Sequence, residues 1–322
     1  GEAKMTERII LDCDPGHDDA VAILLAVGNP DIDLIGVTTV GGNQSLDKVT
    51  YNARSVLHKA GADDIPVYAG CDRPLVRPLK TAAYVHGETG LDGVELPEPV
   101  RPLENEHAVN YLVRTVMDSE PGTVTLVPTG PLTNIAMALR MEPKIAERAK
   151  QVVLMGGGVY EANSSACSEF NIYTDPEAAQ IVFSAPWEVT MVGLDVTHHA
   201  LCTRDIQRKI EAEGGQTGYF MGRLMDFFRK AYQENQDFDD PPVHDPCTVA
   251  YLIDPEVLYT ERRKISVELD GKLTTGMTVV NMQGPEDPGS NTKVALRLDT
   301  GRFWQIVEDA ILRVDSAAGS AA

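Results

Sequence analysis

The sequence predicts an α/β fold: a single domain with a mostly parallel twisted sheet flanked by helices and a small antiparallel addition near the C-terminus. Short β-rich apolar runs alternate with helical patterns from residue 9 to residue 194. No linker rich in Gly or Ser and no internal repeat divides the 322 residues. With 43% hydrophobic residues, the chain can bury one large core. We therefore expect one domain over residues 1–322, with flexible tails at 1–7 and 315–322.

The alternation of strands and helices sets the order of elements through the first two thirds of the chain. A strand, a helix and a second strand at this spacing imply parallel pairing through right-handed crossovers. The first strand, at 9–13, is apolar in most of its length, as expected of a buried strand. Further strands are predicted at 34–40, 123–127, 152–155 and 189–194, and helices at 17–28, 46–60, 131–139 and 176–183.

The last third of the chain has a different pattern. Helical patterns recur at 203–213 and 217–235, and a last helix is predicted at 302–314. Between them, residues 264–298 contain the runs KISVELD, GMTVVNM and TKVALRLD, which are typical of an antiparallel addition. Earlier in the chain, the loop at 71–102 is long and rich in proline, and loops of that length are usually functional or mobile.

Charge and cysteine usage exclude several kinds of partner. The chain carries 28 Lys and Arg against 48 Asp and Glu, a formal net charge of −20, so it would repel nucleic acid and anionic membranes. No window approaches the roughly 18 apolar residues of a membrane span. The five cysteines form no C-x-x-C pair and their number is odd, which disfavours zinc and a disulfide framework. We expect a protein of the reducing cytoplasm.

Polar and glycine-rich segments follow the predicted strands. Ligands of an open parallel sheet bind outside the carboxyl ends of the strands, and glycines there let a ligand approach the backbone. The strands themselves are apolar, so the contrast marks one edge of the sheet as a crevice. The segments are 12–19, 41–43, 128–130 and 156–158, and Asp195 follows the fifth strand.

Four aspartates within eight residues, Asp12, Asp14, Asp18 and Asp19, are the sharpest local feature. A bound cation would offset their mutual repulsion, and ligands that are all oxygens suit calcium or magnesium rather than zinc. Asp18 and Asp19 could instead only stabilise a helix N-terminus. That alternative does not explain Asp12 and Asp14 at the end of an apolar strand. An EF-hand is excluded because Gly16 stands where a third ligand should be.

Three further polar clusters are candidates for the same crevice, at 86–90, 163–171 and 243–246. The second contains Glu and Asn side chains, which bind hydroxyl groups, so a sugar is a reasonable ligand. The third is a His-Asp pair that opens an apolar helix and would point into solvent or a cleft. Each cluster also has a simpler interpretation, as a surface turn, a polar loop and a helix cap respectively.

Six motifs together resemble the inosine–uridine-preferring nucleoside hydrolase family. The resemblance runs from Ile9 to about Leu312. It implies a mostly parallel α/β sheet assembled as a homotetramer. It also implies hydrolysis of the N-glycosidic bond of inosine, uridine and other nucleosides to ribose and free base. The motifs are ILDCDPGHDDAVAILLA at 10–26, HGETGLDG at 86–93, TLVPTGPLTNIAMA at 125–138, VVLMGGG at 152–158, EFNIYTDPEAA at 169–179 and VHDPCTVAYLIDP at 243–255.

The resemblance implies a role for each matching position. Asp14, Asp19, Asp245 and the main-chain carbonyl of Thr129 would hold calcium, which in the family also holds the attacking water and the ribose 2′- and 3′-hydroxyls. Asp14 would be the general base, and His244 the acid that protonates the leaving base. The remaining substrate-binding positions are Asp18, Asn43, Asn163, Glu169 and Asn171 at the ribose, and His86, Phe170 and Tyr232 towards the base.

Three alternatives stay open at this point. Residues 217–242 vary most within the family, so a pyrimidine-preferring hydrolase is one of them. A phosphatase of the haloacid-dehalogenase type also has a strand ending in Asp-x-Asp, as Asp12-Cys13-Asp14 does, but Pro15-Gly16-His17 does not fit its pattern. A calcium-dependent nucleoside-binding protein without turnover is the third. The doublet at 198–199 has no assignment.

Overall fold

Ten strands and thirteen α-helices make up residues 5–320, the part of the chain that this computed structural model describes. The strands are β1 (Glu7–Cys13), β2 (Ile32–Thr39), β3 (Val67–Ala69), β4 (Val124–Pro128), β5 (Gln151–Met155), β6 (Val189–Val192), β7 (Leu258–Arg262), β8 (Ile265–Val267), β9 (Thr278–Val280) and β10 (Thr292–Leu298). The helices are α1 (His17–Gly28), α2 (Leu46–Lys59), α3 (Ala83–His86), α4 (Ala108–Asp118), α5 (Thr133–Met141), α6 (Ile145–Arg148), α7 (Phe170–Thr174), α8 (Pro176–Ser184), α9 (Leu194–Thr197), α10 (Arg204–Glu213), α11 (Gly215–Asn235), α12 (Pro246–Ile253) and α13 (Thr300–Ser320).

Eight of the strands form one sheet in the order β3-β2-β1-β4-β5-β6-β10-β7. All neighbours are parallel except β10 and β7, and β8 pairs with β9 in a separate antiparallel sheet. The α/β class, the mostly parallel sheet and the antiparallel addition are confirmed. One detail differs: β10, the last strand of the segment 264–298, pairs parallel with β6, with Thr292 opposite Val189, so this strand extends the main sheet. Val294 and Ala295 of β10 point to opposite faces of the sheet, and both are buried, as expected of a strand that is covered on both faces.

The alternation of side chains along β1 divides the core into two layers. Ile9 and Leu11 pack into the layer that contains α1, α11 and α13. Ile10 points to the opposite face, where Leu112 of α4 and Ile135 of α5 belong to the same cluster. All three β1 side chains are fully buried, which is why the strand is a continuous apolar run. β1 is central, so its carboxyl end lies in the middle of the sheet edge.

Several elements are absent from the sequence analysis. Helices α3, α6, α7 and α9 have four or five residues each, too few for a periodic signal. Strand β3 has three residues and is recognisable only by its pairing with β2. Helix α4 is longer and amphipathic, with Leu112 and Val116 buried. It follows the proline-rich loop directly, and the sequence analysis did not separate it from that loop. These omissions leave the order of the predicted elements unchanged.

The expected C-terminal tail is helical in part, which is a correction. α13 continues to Ser320, past residue 314 where the sequence analysis ended it. Val314 is buried, and the Asp315 carboxylate accepts the N–H of Thr217, so the end of α13 is held against α11. At the other end Glu7 belongs to β1 and donates its N–H to the carbonyl of Asp31. Residues 1–4 and 321–322 of the expected tails lie outside the described residues.

The proline-rich segment 71–102 brings α3 to the carboxyl edge of the sheet. Two arginines tie it to the body of the protein. Arg77 donates to the carboxylate of Glu177 at 2.8 Å, and Arg101 donates to the carbonyls of Asp63 and Asp64. All five cysteines are free thiols. Of the helices between residues 5 and 320, none has the length and apolar character needed to cross a bilayer.

Candidate active site

A small cavity of about 50 Å³ opens at the carboxyl edge of the sheet, beside the ends of β1, β4 and β5. Asp14 and Asp19 are fully buried behind its wall and bond to Asn43, which lines it. Segments far apart in the chain therefore meet as the sequence analysis expected. The other predicted site residues all line the cavity: Asp18, Asn43, His86, Thr129, Asn163, Glu169, Phe170, Asn171, Tyr232, His244 and Asp245.

Four carboxyl groups meet on one side of the cavity. Asp18, Asp19 and Asp245 each offer an oxygen within 4.8 Å of the other two. Asp14 adjoins them, since its backbone N–H donates to Asp19 Oδ2 at 3.4 Å and Asn43 donates to the carboxylates of both residues. All four are buried, and none forms an ion pair with a Lys or Arg of the described chain. Burial raises the pKa of every one of them, and repulsion between neighbours adds to the rise for Asp14, Asp18 and Asp245.

The cluster has the donor set of a hard cation. Carboxylate and carbonyl oxygens are the ligands that calcium prefers, and a positive charge would relieve the repulsion. Asp14 Oδ1 is buried and has no hydrogen-bond partner within residues 5–320, which is unfavourable unless a ligand meets it. The Thr129 carbonyl accepts one N–H, from Asn171, and keeps a second lone pair. The residues present therefore fit a cation.

Two glycines make room for Asp14. A Cβ atom at Gly42 would lie 2.2 Å from Asp14 Oδ2, and one at Gly130 would lie 2.9 Å from Oδ1. The loops after β2 and β4 can close on the carboxylate only because these positions lack a side chain. The N–H of Asn43 then reaches Oδ2 at 2.8 Å. The backbone thus fixes Oδ2 and leaves Oδ1 available.

Asp12 is not part of the group of four carboxyls. Of the four aspartates at 12–19 that the sequence analysis grouped as possible cation ligands, only Asp14, Asp18 and Asp19 lie in that group. Its Oδ1 accepts hydrogen bonds from Thr38 Oγ1 at 2.6 Å and from Asn134 Nδ2 at 2.7 Å. These bonds join β1 to β2 and α5. Burial raises the pKa of Asp12 to about 7. A fully buried carboxyl group held in this way cannot attack a substrate, so the phosphatase alternative loses its nucleophile.

Backbone contacts hold three further polar side chains of the cavity in place. Asn171 Nδ2 donates to the carbonyls of Thr129 and Met155, both at 3.0 Å. Glu169 caps α7 and accepts the N–H groups of Asn171, Ile172 and Gly157. In a similar way Asn163 Oδ1 accepts the N–H of Phe170 at 2.9 Å. These bonds fix the orientation of the three side chains without any ligand.

Glu169→Gln is expected to flatten the dependence of stability on pH. Burial raises the pKa of Glu169 from 4.5 to about 7. The folded protein then keeps a proton that the unfolded chain releases. The contribution to stability is therefore present at low pH and is lost as the pH rises from 4.5 towards about 7. The shift corresponds to roughly 3 kcal/mol. Unfolding free energies at about pH 5 and about pH 8 measure the slope.

Glu234→Gln, on the exposed face of α11, is the control and should keep the wild-type slope. The variants are compared by the change of unfolding free energy with pH and not by its value at one pH. The amide that replaces the Glu169 carboxylate would lose part of the α7 cap at every pH, which lowers stability without changing the pH dependence. An unchanged slope in the Glu169→Gln variant would contradict the assignment of a raised pKa.

A hydrogen-bonded chain joins Tyr232 and His244, which line the cavity, to Thr197 behind them. The hydroxyl of Tyr232 meets His244 Nε2 at 2.6 Å, and His244 Nδ1 meets Thr197 Oγ1 at 2.7 Å. Burial keeps the pKa of His244 well below its usual value, so the imidazole is neutral at rest. His198, left unassigned by the sequence, lies behind it with ring centroids 5.8 Å apart, and its Nδ1 lies 3.4 Å from Glu161.

His17 is a site residue that the sequence analysis missed. Its Nδ1 lies 3.0 Å from Nδ1 of His86, and its Nε2 contacts the carbonyl of Asp92 at 2.8 Å. The ring stacks on Phe227 at 5.0 Å. His17 therefore positions His86 from 69 residues away in the chain. The other cavity residues without a predicted role are Ala82, Tyr84, Val85, Met155 and Gln236.

The fold and the site together define a class of protein. It is an α/β enzyme with an acidic cluster suited to a metal ion, next to a small-molecule cavity at the carboxyl edge of a parallel sheet. The chain belongs to the inosine-uridine preferring nucleoside hydrolase family, whose sequence profile matches residues 9–305.

Relatives support this assignment along almost the whole chain. An inosine-uridine preferring nucleoside hydrolase of Leishmania major is 52% identical over 311 residues, 96% of this chain and 99% of that protein. A pyrimidine-specific ribonucleoside hydrolase, RihB, of Escherichia coli is 43% identical over 304 residues, 94% of this chain and 96% of that protein. The solved structure of a purine-preferring ribonucleoside hydrolase from Gardnerella vaginalis matches with a TM-score of 0.90 and 32% identity, covering 97% of this chain and 100% of that one.

The resemblance drawn from the six motifs is thereby confirmed. The protein is a metal-dependent nucleoside hydrolase, an enzyme that acts on the N-glycosyl bond of ribonucleosides. The names of its relatives differ in the base that they prefer. Family membership therefore does not decide the base preference of this chain.

Proposed function

We propose that this enzyme hydrolyses both purine and pyrimidine ribonucleosides to ribose and free base, with calcium held by Asp14, Asp19, Asp245 and the Thr129 carbonyl. The observation that carries the proposal is the buried acidic cluster without a countercharge among residues 5–320, beside a cavity lined with amides. When bound, calcium would supply a fixed positive charge that orders two ribose hydroxyls and an attacking water and lowers the pKa of that water.

Asp14 acts as the general base. Its Oδ1 is free to accept a proton, while the N–H of Asn43 holds Oδ2 in place. Burial and the neighbouring carboxyl of Asp19 raise the pKa of Asp14 in the metal-free protein. A bound cation would favour the ionised carboxylate, which is the form that accepts a proton. A fixed base next to the water avoids the cost of orienting it in the transition state.

The carboxylates also stabilise the sugar during bond cleavage. An N-glycosidic bond breaks through a transition state with oxocarbenium character, so positive charge develops on the ribose ring. Asp18 and Glu169 both line the cavity and are both nearly fully buried. Negative charge acts strongly in such a site because little water screens it. Asn163 and Asn171 hold the ribose hydroxyls, which keeps the anomeric carbon facing the water.

His244 protonates the leaving base through the chain that it forms with Tyr232. The Tyr232 hydroxyl is 2.6 Å from Nε2, so a proton can reach the cavity without leaving the hydrogen-bonded chain. Because burial keeps His244 neutral at rest, it first takes up a proton from solvent, and its low pKa then makes this protonated form a strong acid towards the leaving base. Purines leave better when protonated, so inosine depends on this step most.

His244→Ala is expected to slow inosine hydrolysis by about 10²- to 10⁴-fold, the usual contribution of a general acid. Binding of free ribose should change little, because the residues assigned to the ribose hydroxyls do not include His244. Measurement of kcat for inosine and of inhibition by ribose checks both. A p-nitrophenyl riboside is the matched control, since its leaving group needs no proton. Equal losses on both substrates would show that His244 is not the acid.

Base preference, location and assembly complete the proposal. The candidate with the next best support is a pyrimidine-preferring enzyme, which the likeness to RihB favours. We further propose a homotetramer that works in nucleoside salvage in a reducing cytoplasm, where the five free thiols would persist. Light scattering tests the tetramer.

Free ribose from inosine, adenosine, guanosine, uridine and cytidine, measured with and without calcium, tests the activity and ranks the bases. Calcium-dependent binding of inosine without release of ribose would instead support a non-catalytic nucleoside-binding protein. Release of phosphate from sugar phosphates would support a phosphatase.

A further inference from the structure

Arg229 is a buried cation of α11 to which the proposed mechanism gives no role. It is only 4% exposed, and a charged side chain is rarely buried to this extent unless partners satisfy it. Its Nη1 donates to the carboxylate of Asp240, and its Nη2 donates to the carbonyl of Cys202 at 2.9 Å and to Gln207 Oε1 at 2.8 Å. The guanidinium group therefore ties α11 to a segment that precedes α10 and to one that follows α11.

The two segments that Arg229 binds also pair with each other. Residues 200–202 and 241–243, the paired segments, meet in an antiparallel bridge, and the N–H of Cys202 donates to the carbonyl of Pro241 at 3.0 Å. The second segment begins with two prolines, which have no N–H to donate. Arg229 supplies donors at the end of the pairing, where the segment has none of its own.

Each element that Arg229 joins carries one member of the hydrogen-bonded chain of Tyr232, His244 and Thr197. Tyr232 lies one turn after Arg229 on α11. Thr197 ends α9, shortly before the first paired segment, and His244 directly follows the second. The separations of 2.6 Å and 2.7 Å along this chain lie within the range of about 2.6–3.2 Å that proton transfer requires. A shift of any one segment would lengthen them.

The connection between α11 and the second paired segment has an unfavourable backbone conformation. Asp237 has a φ angle of 56°, in the left-handed region that residues other than glycine seldom adopt. Such a conformation persists only where the surrounding contacts enforce it. The bond from Arg229 to Asp240, three residues further along, is a contact of this kind.

We propose that Arg229 is a positioning residue for departure of the base: it holds three segments together so that Tyr232, His244 and Thr197 stay within proton-transfer distance. The inference rests on the proposed function and deepens it. Arg229 itself lies outside the lining of the cavity, so it acts through these residues and not on the substrate.

The acidic cluster is held independently of Arg229, although Asp245 follows His244 directly. The N–H of Asp245 donates to Asp18 Oδ2 at 3.3 Å, and its carbonyl accepts the hydroxyl of Thr248 on α12 at 2.7 Å. Loss of Arg229 should therefore impair the step that needs a proton and spare the binding of calcium and ribose.

The test compares two leaving groups in variants of Arg229. Arg229→Gln removes the charge and the planar fork that binds several partners at once. It should lower kcat for inosine by about 10- to 100-fold, part of the contribution of a general acid. For a p-nitrophenyl riboside, whose leaving group needs no proton, kcat should stay within about threefold of the wild type. Arg229→Lys keeps the charge beside Asp240 and should recover part of the loss on inosine.

Arg223→Gln is the matched control, because Arg223 is on the same helix but forms its ion pairs with Asp226 and Glu211. It should behave as the wild type on both substrates. Asp240→Asn is a second, milder variant, since the Asp240 side chain is 27% exposed. It should slow inosine by about 3- to 10-fold and leave the riboside unchanged. If Arg229→Gln yields no folded protein, Asp240→Asn decides.

A loss confined to inosine supports the proposal. Equal losses on both substrates, or no loss on either, overturn it, because a residue that only stabilises the fold does not distinguish leaving groups. His244→Ala separates this result from the proposed function. If His244→Ala is selective for inosine and the Arg229 variants are not, only the positioning role fails. If His244→Ala slows both substrates equally, the acid assignment fails and this inference with it.

Discussion

Asp14→Asn is expected to lower kcat for inosine and uridine by about 10²- to 10⁴-fold through loss of the general base alone. Weaker calcium binding adds to the loss, because the amide removes one negative charge from the cluster. The fold should survive, since the amide oxygen of the substituted side chain can still accept the N–H of Asn43. Steady-state kinetics with saturating calcium and a calcium titration of the same preparation separate the two effects.

Asp12→Asn is the matched control, because Asp12 lies two residues away on β1 and is equally buried. Its oxygen can still accept from Thr38 and Asn134, so the fold is kept and the variant should stay within about fivefold of wild-type activity, a loss of roughly 1 kcal/mol. A fully active Asp14→Asn variant, or equal losses in both variants, would remove Asp14 from its role as base.

Chelation is the second change with a large expected effect. Removal of the metal should lower turnover by at least about a thousandfold, because an ion of this kind contributes several kcal/mol to the transition state. Addition of calcium should restore turnover. The folded protein should also gain stability, about 2.7 kcal/mol when free calcium is a hundred times its dissociation constant. Activity assays and thermal unfolding with a chelator, and then with calcium in excess, measure both.

Asp245→Asn provides the internal comparison for chelation. Asp245 contributes one of the four clustered carboxyl groups, so this variant should need far more calcium for both activity and stabilisation. Asp195→Asn, at the same edge of the sheet, should respond to calcium as the wild type does, because Asp195 bonds to the N–H groups of Val159 and Tyr160 instead. Full turnover in the presence of the chelator would contradict a catalytic cation.

The architecture of the sheet edge could be predicted because it is encoded locally. Each strand is an apolar run, and each polar segment follows its strand directly, so parallel pairing alone brings the segments together. Asp18, Asp19 and Asp245 meet for this reason. The chemistry of the cluster also follows from residue types, since carboxylates at high local density suit a hard cation.

The parts that could not be predicted depend on contacts between distant segments. Asp12 has the right residue type and position for the cluster, and only its bonds to Thr38 and Asn134 exclude it. His17 contacts His86, which lies in the proline-rich segment 69 residues later in the chain. Gln236 lines the cavity from the end of a long helix. No periodic pattern connects such positions. The pairing of β10 with β6 could not be predicted for the same reason, because the sequence of a strand does not indicate which strand it pairs with.

A crystal structure of the protein grown with calcium tests the central claim most directly. The account predicts one ion bonded to Asp14, Asp19, Asp245 and the carbonyl of Thr129 at about 2.3–2.6 Å, the range of calcium–oxygen bonds. Electron density without an ion among these carboxylates, in crystals of a preparation that releases ribose, would contradict it.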